Sequence, residues 1–236
     1  MSILSWLLVL FLLAGVPILA RRSAAAVAEL PRAAVYVNAS LTLWVLAAAA
    51  YLVVRLDGGD LQSVYVRSGP APGPAGMILW TLALTAFGAG VFALTRAWNR
   101  AGLWPPESAA LERLRPTGTG EALLLALVLA PSAGLCEEFL YRGFLLTRLA
   151  EALGHPALAA VVSSAAFGLS HGYQGAAGAA RAAIIGAALA TPALAAGTIL
   201  PSMAAHALID IVCTLLIWPL LDRKQAAYRR RQRREW

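Results

Sequence analysis

Two adjacent carboxylates, Glu137 and Glu138, stand in the apolar run Leu135-Cys136-Glu137-Glu138-Phe139-Leu140-Tyr141-Arg142. Two further pairs, Phe167 with His171 and His206 with Asp210, occur downstream in equally apolar surroundings. An ionised side chain at the centre of a bilayer costs ~2.5–3.5 kcal/mol on insertion scales, so each of these groups needs a structural or functional reason. Together they hold the parts of a hydrolytic site. A carboxylate can deprotonate a water, and an imidazole can hold that water or stabilise an oxyanion. One glutamate and two histidines can also bind zinc with a fourth position open for water. Either version hydrolyses an acyl bond inside the membrane.

The spacing assigns partners. Residues four apart share a helix face, so Glu138 can pair with Arg142 and be kept in the membrane by its counter-charge. Glu137 lies about 100° round the helix and is free to face a cavity. Phe167 can wall His171. Asp210 can accept from one nitrogen of His206, fixing the tautomer and leaving the other nitrogen for substrate or metal.

The elements that must position these residues are membrane helices. The 236 residues are 60% hydrophobic and 13% charged, about half the charge fraction of a soluble domain. The apolar runs are continuous rather than alternating, which excludes a β-barrel. The class is an all-α, polytopic transmembrane helix bundle of about seven to eight spans. The runs are 3–20, 33–54, 76–95, 120–150, 156–170, 179–196 and 198–221. Arg21-Arg22 follow the first run directly, which fits a first transmembrane helix with its N-terminus outside better than a cleaved signal peptide. The fourth run would rise roughly 46 Å as one straight helix against a core of about 30 Å. Pro131 and Gly134 therefore predict a kink or break just before the glutamates. Gly154-His155-Pro156 reads as a helix stop and restart, and Gly69 to Pro74 as a turn. The run near 178–197 is nearly all Ala, Gly and Ile; it predicts close packing without chemistry, with Arg181 snorkelling to the interface.

Three regions follow: N-terminal helices and loops over 1–119, a helical core over 120–221 that carries the motifs, and a basic tail over 222–236. The net charge of +7 is concentrated in that tail, at Arg223, Lys224, Arg229, Arg230, Arg231, Arg233 and Arg234. This is the positive-inside pattern of a cytoplasmic tail touching anionic head groups, not a nucleic-acid site. The Arg and Ala usage, with Lys224 the single lysine, points to a GC-rich genome and so to a bacterial inner membrane. Cys136 and Cys213 form no disulfide or thiolate framework.

The three motifs in this order resemble those of the CaaX protease and bacteriocin-processing (CPBP, or Abi) family of intramembrane proteases, which includes the Ras-converting CaaX endopeptidase. The family pattern is Glu-Glu-x-x-x-Arg, Phe-x-x-x-His and His-x-x-x-Asn or Asp. It is met here by Glu137, Glu138 and Arg142, by Phe167 and His171, and by His206 and Asp210. The likeness covers roughly 120–221. It implies that Glu137 is the general base, that Glu138 and Arg142 support it, that His171 shares the water, and that His206 and Asp210 complete the site and stabilise the oxyanion. It also implies a membrane-embedded or lipid-anchored peptide substrate and, if the enzyme is zinc-dependent, Glu137, His171 and His206 as ligands. Asp210 stands where prenyl-protein-processing members usually carry Asn. An ionised Asp cannot donate, so this residue suits an acceptor orienting His206 better than an oxyanion donor.

Four other readings use the same residues. A non-catalytic scaffold or bacteriocin-immunity protein would retain them as a polar knot. A proton or ion transporter would use them as a relay, though the internal repeats of many transporters are absent. A b-type haem protein would ligate iron through His171 and His206. A cysteine protease would use Cys136, but a thiol buried in an apolar setting is usually inert.

Overall fold

A computed structural model describes residues 1–66, 72–105 and 107–222; the basic tail 223–236 and part of the predicted turn at 69–74 lie outside the described residues. The described residues are almost entirely helical and include no strand. In chain order the helices are α1 (3–29), α2 (Arg32–Leu56), α3 (Gly73–Arg100), the short α4 (Ala109–Arg113), α5 (Thr119–Leu153), α6 (Pro156–Ser170), α7 (Gly175–Leu189), α8 (Thr191–Ala196) and α9 (Leu200–Asp222). Six helical stretches are long and apolar enough to cross a membrane, and α6 is a shorter apolar helix. These seven segments correspond to the seven predicted runs. Large apolar side chains such as Ile3, Leu41, Val45, Leu79 and Leu127 point outward, as lipid-facing residues must.

α5 is the central helix. Half of its apolar window is buried, against 17% in α2 and in α3. Every residue from Phe139 to Leu145 is buried, so the helix has no lipid-facing side there. Of the predicted kink or break, no break occurs: Thr119–Leu153 is helical throughout. A π-helical stretch, Leu125–Leu129, lies just ahead of Pro131. A proline lacks the N–H for the i→i−4 bond and crowds the carbonyl four residues back; the wider π turn relieves that crowding without ending the helix. A second π stretch, Phe139–Leu145, follows the glutamates directly. There the Ser163 hydroxyl donates to the Tyr141 carbonyl at 2.6 Å, tying α6 to the π segment.

Gly134 has a different function from the one predicted. A Cβ at this position would lie 2.5 Å from the Met203 carbonyl and 2.9 Å from the Ala207 nitrogen. It is the contact that lets α9 pack directly on α5, bringing His206 level with the glutamates. Gly168 does the same for α6 against α7, where a Cβ would lie 2.6 Å from the Ala179 carbonyl. The α5–α6 connection matches the sequence. Gly154 adopts φ +65° as a left-handed C-cap, His155 caps α6 by accepting from the Leu158 N–H, and Pro156 opens the helix.

One end of the bundle is fastened at Asp57, just past α2. It accepts from the Ser5 hydroxyl at 2.6 Å and the Ser2 N–H at 3.3 Å, and it lies 3.3 Å from Arg148 on α5. Hydrogen bonds from Ser2 and Ser5, with Arg148 nearby, hold its carboxyl below the usual carboxylate range. A depressed carboxyl contributes stability that is present above its unfolded value and lost as pH falls through its folded one. The melting temperature should therefore drop as pH is taken below about 4, and Asp57→Asn should start lower and show a smaller drop. Gly134→Ala should destabilise the bundle by about 1–3 kcal/mol through overpacking. Gly90→Ala, where a Cβ meets nothing within 4 Å, should not lower the melting temperature in detergent and should raise it slightly, since Ala is the better helix former.

Candidate active site

The six polar residues of the three motifs meet where α5, α6 and α9 pack together. Glu138 is the buried centre. Its side chain and that of Arg142 are both fully buried, and the guanidinium donates to Glu138 Oε1 at 3.1 Å, the i,i+4 pair expected from spacing. The same oxygen lies 2.7 Å from His206 Nδ1. Since an ionised carboxylate only accepts, Nδ1 carries the proton and Nε2 is aimed away from Glu138. The orienting partner of His206 is therefore Glu138 and not Asp210. Asp210 Oδ2 stands 3.9 Å from Nε2, on the working side of the ring. The reason is tertiary: α9 lies so close to α5 at Gly134 that the buried carboxylate reaches the ring before a residue one turn along α9 can.

His171 is fixed in a different way. Its Nδ1 lies 2.9 Å from the Phe167 carbonyl, which can only accept, so Nδ1–H donates there and Nε2 faces the site. Both histidines thus present Nε2 to Glu137. Glu137 Oε2 is 3.7 Å from His206 Nε2 and 3.9 Å from His171 Nε2. It is buried and has no hydrogen-bond partner among the described residues. These separations are too long for direct hydrogen bonds and suit an intervening water.

Phe167 organises the cluster from one ring. It lies 4.5 Å from the His171 ring, 5.7 Å edge-on from His206, and 5.2 Å edge-on from Tyr141, and the Arg142 guanidinium stands 4.2 Å from its centre. The cation–π contact faces a guanidinium that keeps unpartnered N–H groups. Gly186 on α7 makes room for it, since a Cβ there would approach Arg142 Nη2 to 2.5 Å.

Among the described residues, two of the cavities that flank the cluster are lined by His171. One, of about 100 Å³, is lined by Glu137, Tyr141, Ser170, His171 and Tyr173 with apolar residues of α1 and α2. The other, of about 120 Å³, is lined by His171, His206 and Asp210 with Phe92, Trp218 and residues of α7. His171 belongs to both. The two tyrosines and Ser170 were not singled out from sequence. Tyr141 sits inside the Glu-Glu-x-x-x-Arg motif, and that position is the one signal that pointed to it; Tyr173 gave none.

The zinc set is not assembled. Among the described residues no group of three His, Cys, Asp or Glu side chains is arranged to hold a metal. No step is derived through a metal. The haem arrangement also fails, because both Nε2 atoms address one carboxylate oxygen rather than opposite faces of a macrocycle. Cys136 is buried in the core. Arg181 does not snorkel: it is buried and paired with Glu107 at 2.5 Å.

The fold and site define a polytopic, all-α integral membrane protein with a buried Glu/His cluster. Residues 119–212 match a family model described as Rce1-like, type II CAAX prenyl endopeptidase Rce1-like. The matched segment contains all six motif residues. No curated protein and no solved structure matches the chain. Over residues 119–212 the chain is therefore similar to the CAAX-type intramembrane endopeptidases.

Removing one partner of a buried ion pair leaves an uncompensated charge and costs about 3–5 kcal/mol. Arg142→Met should lower stability by that order. The double variant Glu138→Gln/Arg142→Met should lose much less than the sum of the single losses, as read from a thermal double-mutant cycle.

Proposed function

We propose that this protein is an intramembrane endopeptidase in which Glu137 activates the attacking water. The observation that carries this reading is the unpartnered Glu137 Oε2, buried between two imidazole Nε2 atoms at distances that suit one water. The neutral His171, with Nδ1–H engaged by Phe167, accepts a hydrogen bond from the water at Nε2. Glu137 takes the water's other proton as the water oxygen bonds to the scissile carbonyl carbon. The carbonyl oxygen becomes an oxyanion. His206 in its imidazolium form, held by Glu138 at Nδ1, donates to that oxygen from Nε2. As the tetrahedral intermediate collapses, the C–N bond breaks and the Glu137 carboxylic acid returns its proton to the leaving amine. Asp210 stands beside His206 Nε2 and supports its charge. Glu138 and Arg142 position the ring and do not meet the substrate.

The substrate in this reading is a membrane-anchored peptide, of which a prenylated CaaX tail is the family's eukaryotic form. The bacterial inner membrane and a cytoplasmic basic tail touching anionic lipid belong to the same reading. They are supported by the composition and by the arginine bias at the C-terminus.

Glu137→Gln keeps the shape and removes the base. It should lower hydrolysis of a membrane-anchored reporter peptide in proteoliposomes by about 10²–10⁴-fold, the range for general acid–base catalysis, with the melting temperature unchanged. New peptide termini should also appear in cells carrying the wild-type protein and vanish with Glu137→Gln. Identical peptide sets in the two strains would favour the scaffold reading.

A further inference from the structure

A second buried ionic cluster borders the 120 Å³ cavity. Glu107, in the connection between α3 and α4, has a side chain only 3% exposed. Its carboxylate is shared by Arg96 of α3 and Arg181 of α7, both buried, with the Arg181 contact at 2.5 Å; Arg96 also pairs with Glu112 at 3.0 Å and stands 3.6 Å from Asp222, whereas the other side-chain contact of Arg181 is a 3.4 Å bond to the neutral Gln174. Arg181 lines the same cavity as His171, His206 and Asp210. Its guanidinium stands 4.9 Å from the Phe92 ring, and that of Arg96 stands 4.4 Å from the Trp218 ring; both rings also line the cavity. Arg96 keeps a buried Nε–H without a partner. Two guanidinium groups on two apolar helices thus converge on one carboxylate, next to a cavity walled by the hydrolytic side chains. Paired guanidinium donors are the arrangement that recognises a planar carboxylate.

The carboxylate they hold does not come from a membrane helix. It comes from a connection, and an incoming carboxylate could replace it without changing the number of buried charges. Exchange of one carboxylate for another avoids the penalty of an uncompensated buried cation. We propose that Arg181, assisted by Arg96, is a subsite for the C-terminal carboxylate of the peptide substrate, and that Glu107 is an internal occupant which the substrate displaces. This rests on the endopeptidase reading above. Being tethered, Glu107 competes at a high effective concentration, so peptides ending in an amide gain nothing from displacing it.

The test uses the full-length protein in nanodiscs and two fluorescent membrane-anchored peptides that differ only in a free C-terminal carboxylate or an amide. Binding is read by anisotropy on the Glu137→Gln variant, and cleavage on the wild type. The free acid should bind at least about tenfold more tightly, the order expected for one or two hydrogen bonds to a charged group. Arg181→Gln should abolish the difference, and Glu107→Gln should tighten the acid alone. Equal binding of acid and amide would overturn the subsite, even if both peptides are cleaved. A preference for the acid without any cleavage would sustain the subsite and sink the hydrolytic reading instead. Should the Arg181 or Glu107 variants fail to fold, the acid–amide comparison on the otherwise unaltered chain still decides.

Discussion

Everything at this site depends on one buried carboxylate oxygen. Glu138 Oε1 accepts from Arg142 within its own helix and from His206 across the α5–α9 contact. A fully buried carboxylate without such partners would be prohibitively costly in lipid. Two cationic or polar donors make it tolerable, and in return it fixes a guanidinium and an imidazole in single orientations. The neighbouring Glu137 carries no such burden. Its Oε2 is left facing the two Nε2 atoms, the position that the proposed base requires. Two adjacent residues of the same type thus receive opposite duties from the helix geometry.

Close helix approach is the condition for this arrangement. Hydrophobic driving force is weak between helices already in lipid, and small residues let backbones meet. Gly134 does this between α5 and α9, Gly168 between α6 and α7, and Gly186 opens space for the Arg142 guanidinium. The π stretches of α5 serve the same end. One absorbs Pro131 and keeps the helix continuous; the other surrounds Tyr141 and Arg142 and gives the Tyr141 carbonyl to Ser163. Phe167 then fills the space between both histidines and Arg142, so that rigidity comes from one ring touching several charged or polar neighbours.

Much of this was legible in the chain. Apolar runs gave the class and the seven segments. The i,i+4 rule gave the Glu138–Arg142 pair and the Phe167–His171 ring contact, because the partners are four residues apart on one helical stretch and local geometry suffices. The same rule misled at His206 and Asp210, where a partner from another helix reaches the ring first. It also missed Arg181: a lone arginine near a helix end reads as a snorkelling residue unless the acid that comes to meet it is known. Glu107 lies 74 positions earlier, in a connection that carries no periodic signal.

The sequence by itself determined that this is a helical membrane protein with three polar motifs of CaaX-protease type, since composition, run length and four-residue spacing are properties of single segments. The tertiary structure decided which nitrogen of each histidine is free, that Glu138 rather than Asp210 orients His206, and that Gly134 is a helix contact and not a break. It also decided that Glu107 and Arg181 meet beside the cavity. Each of these depends on distances between different helices, and those distances are set by where glycine lets two backbones touch.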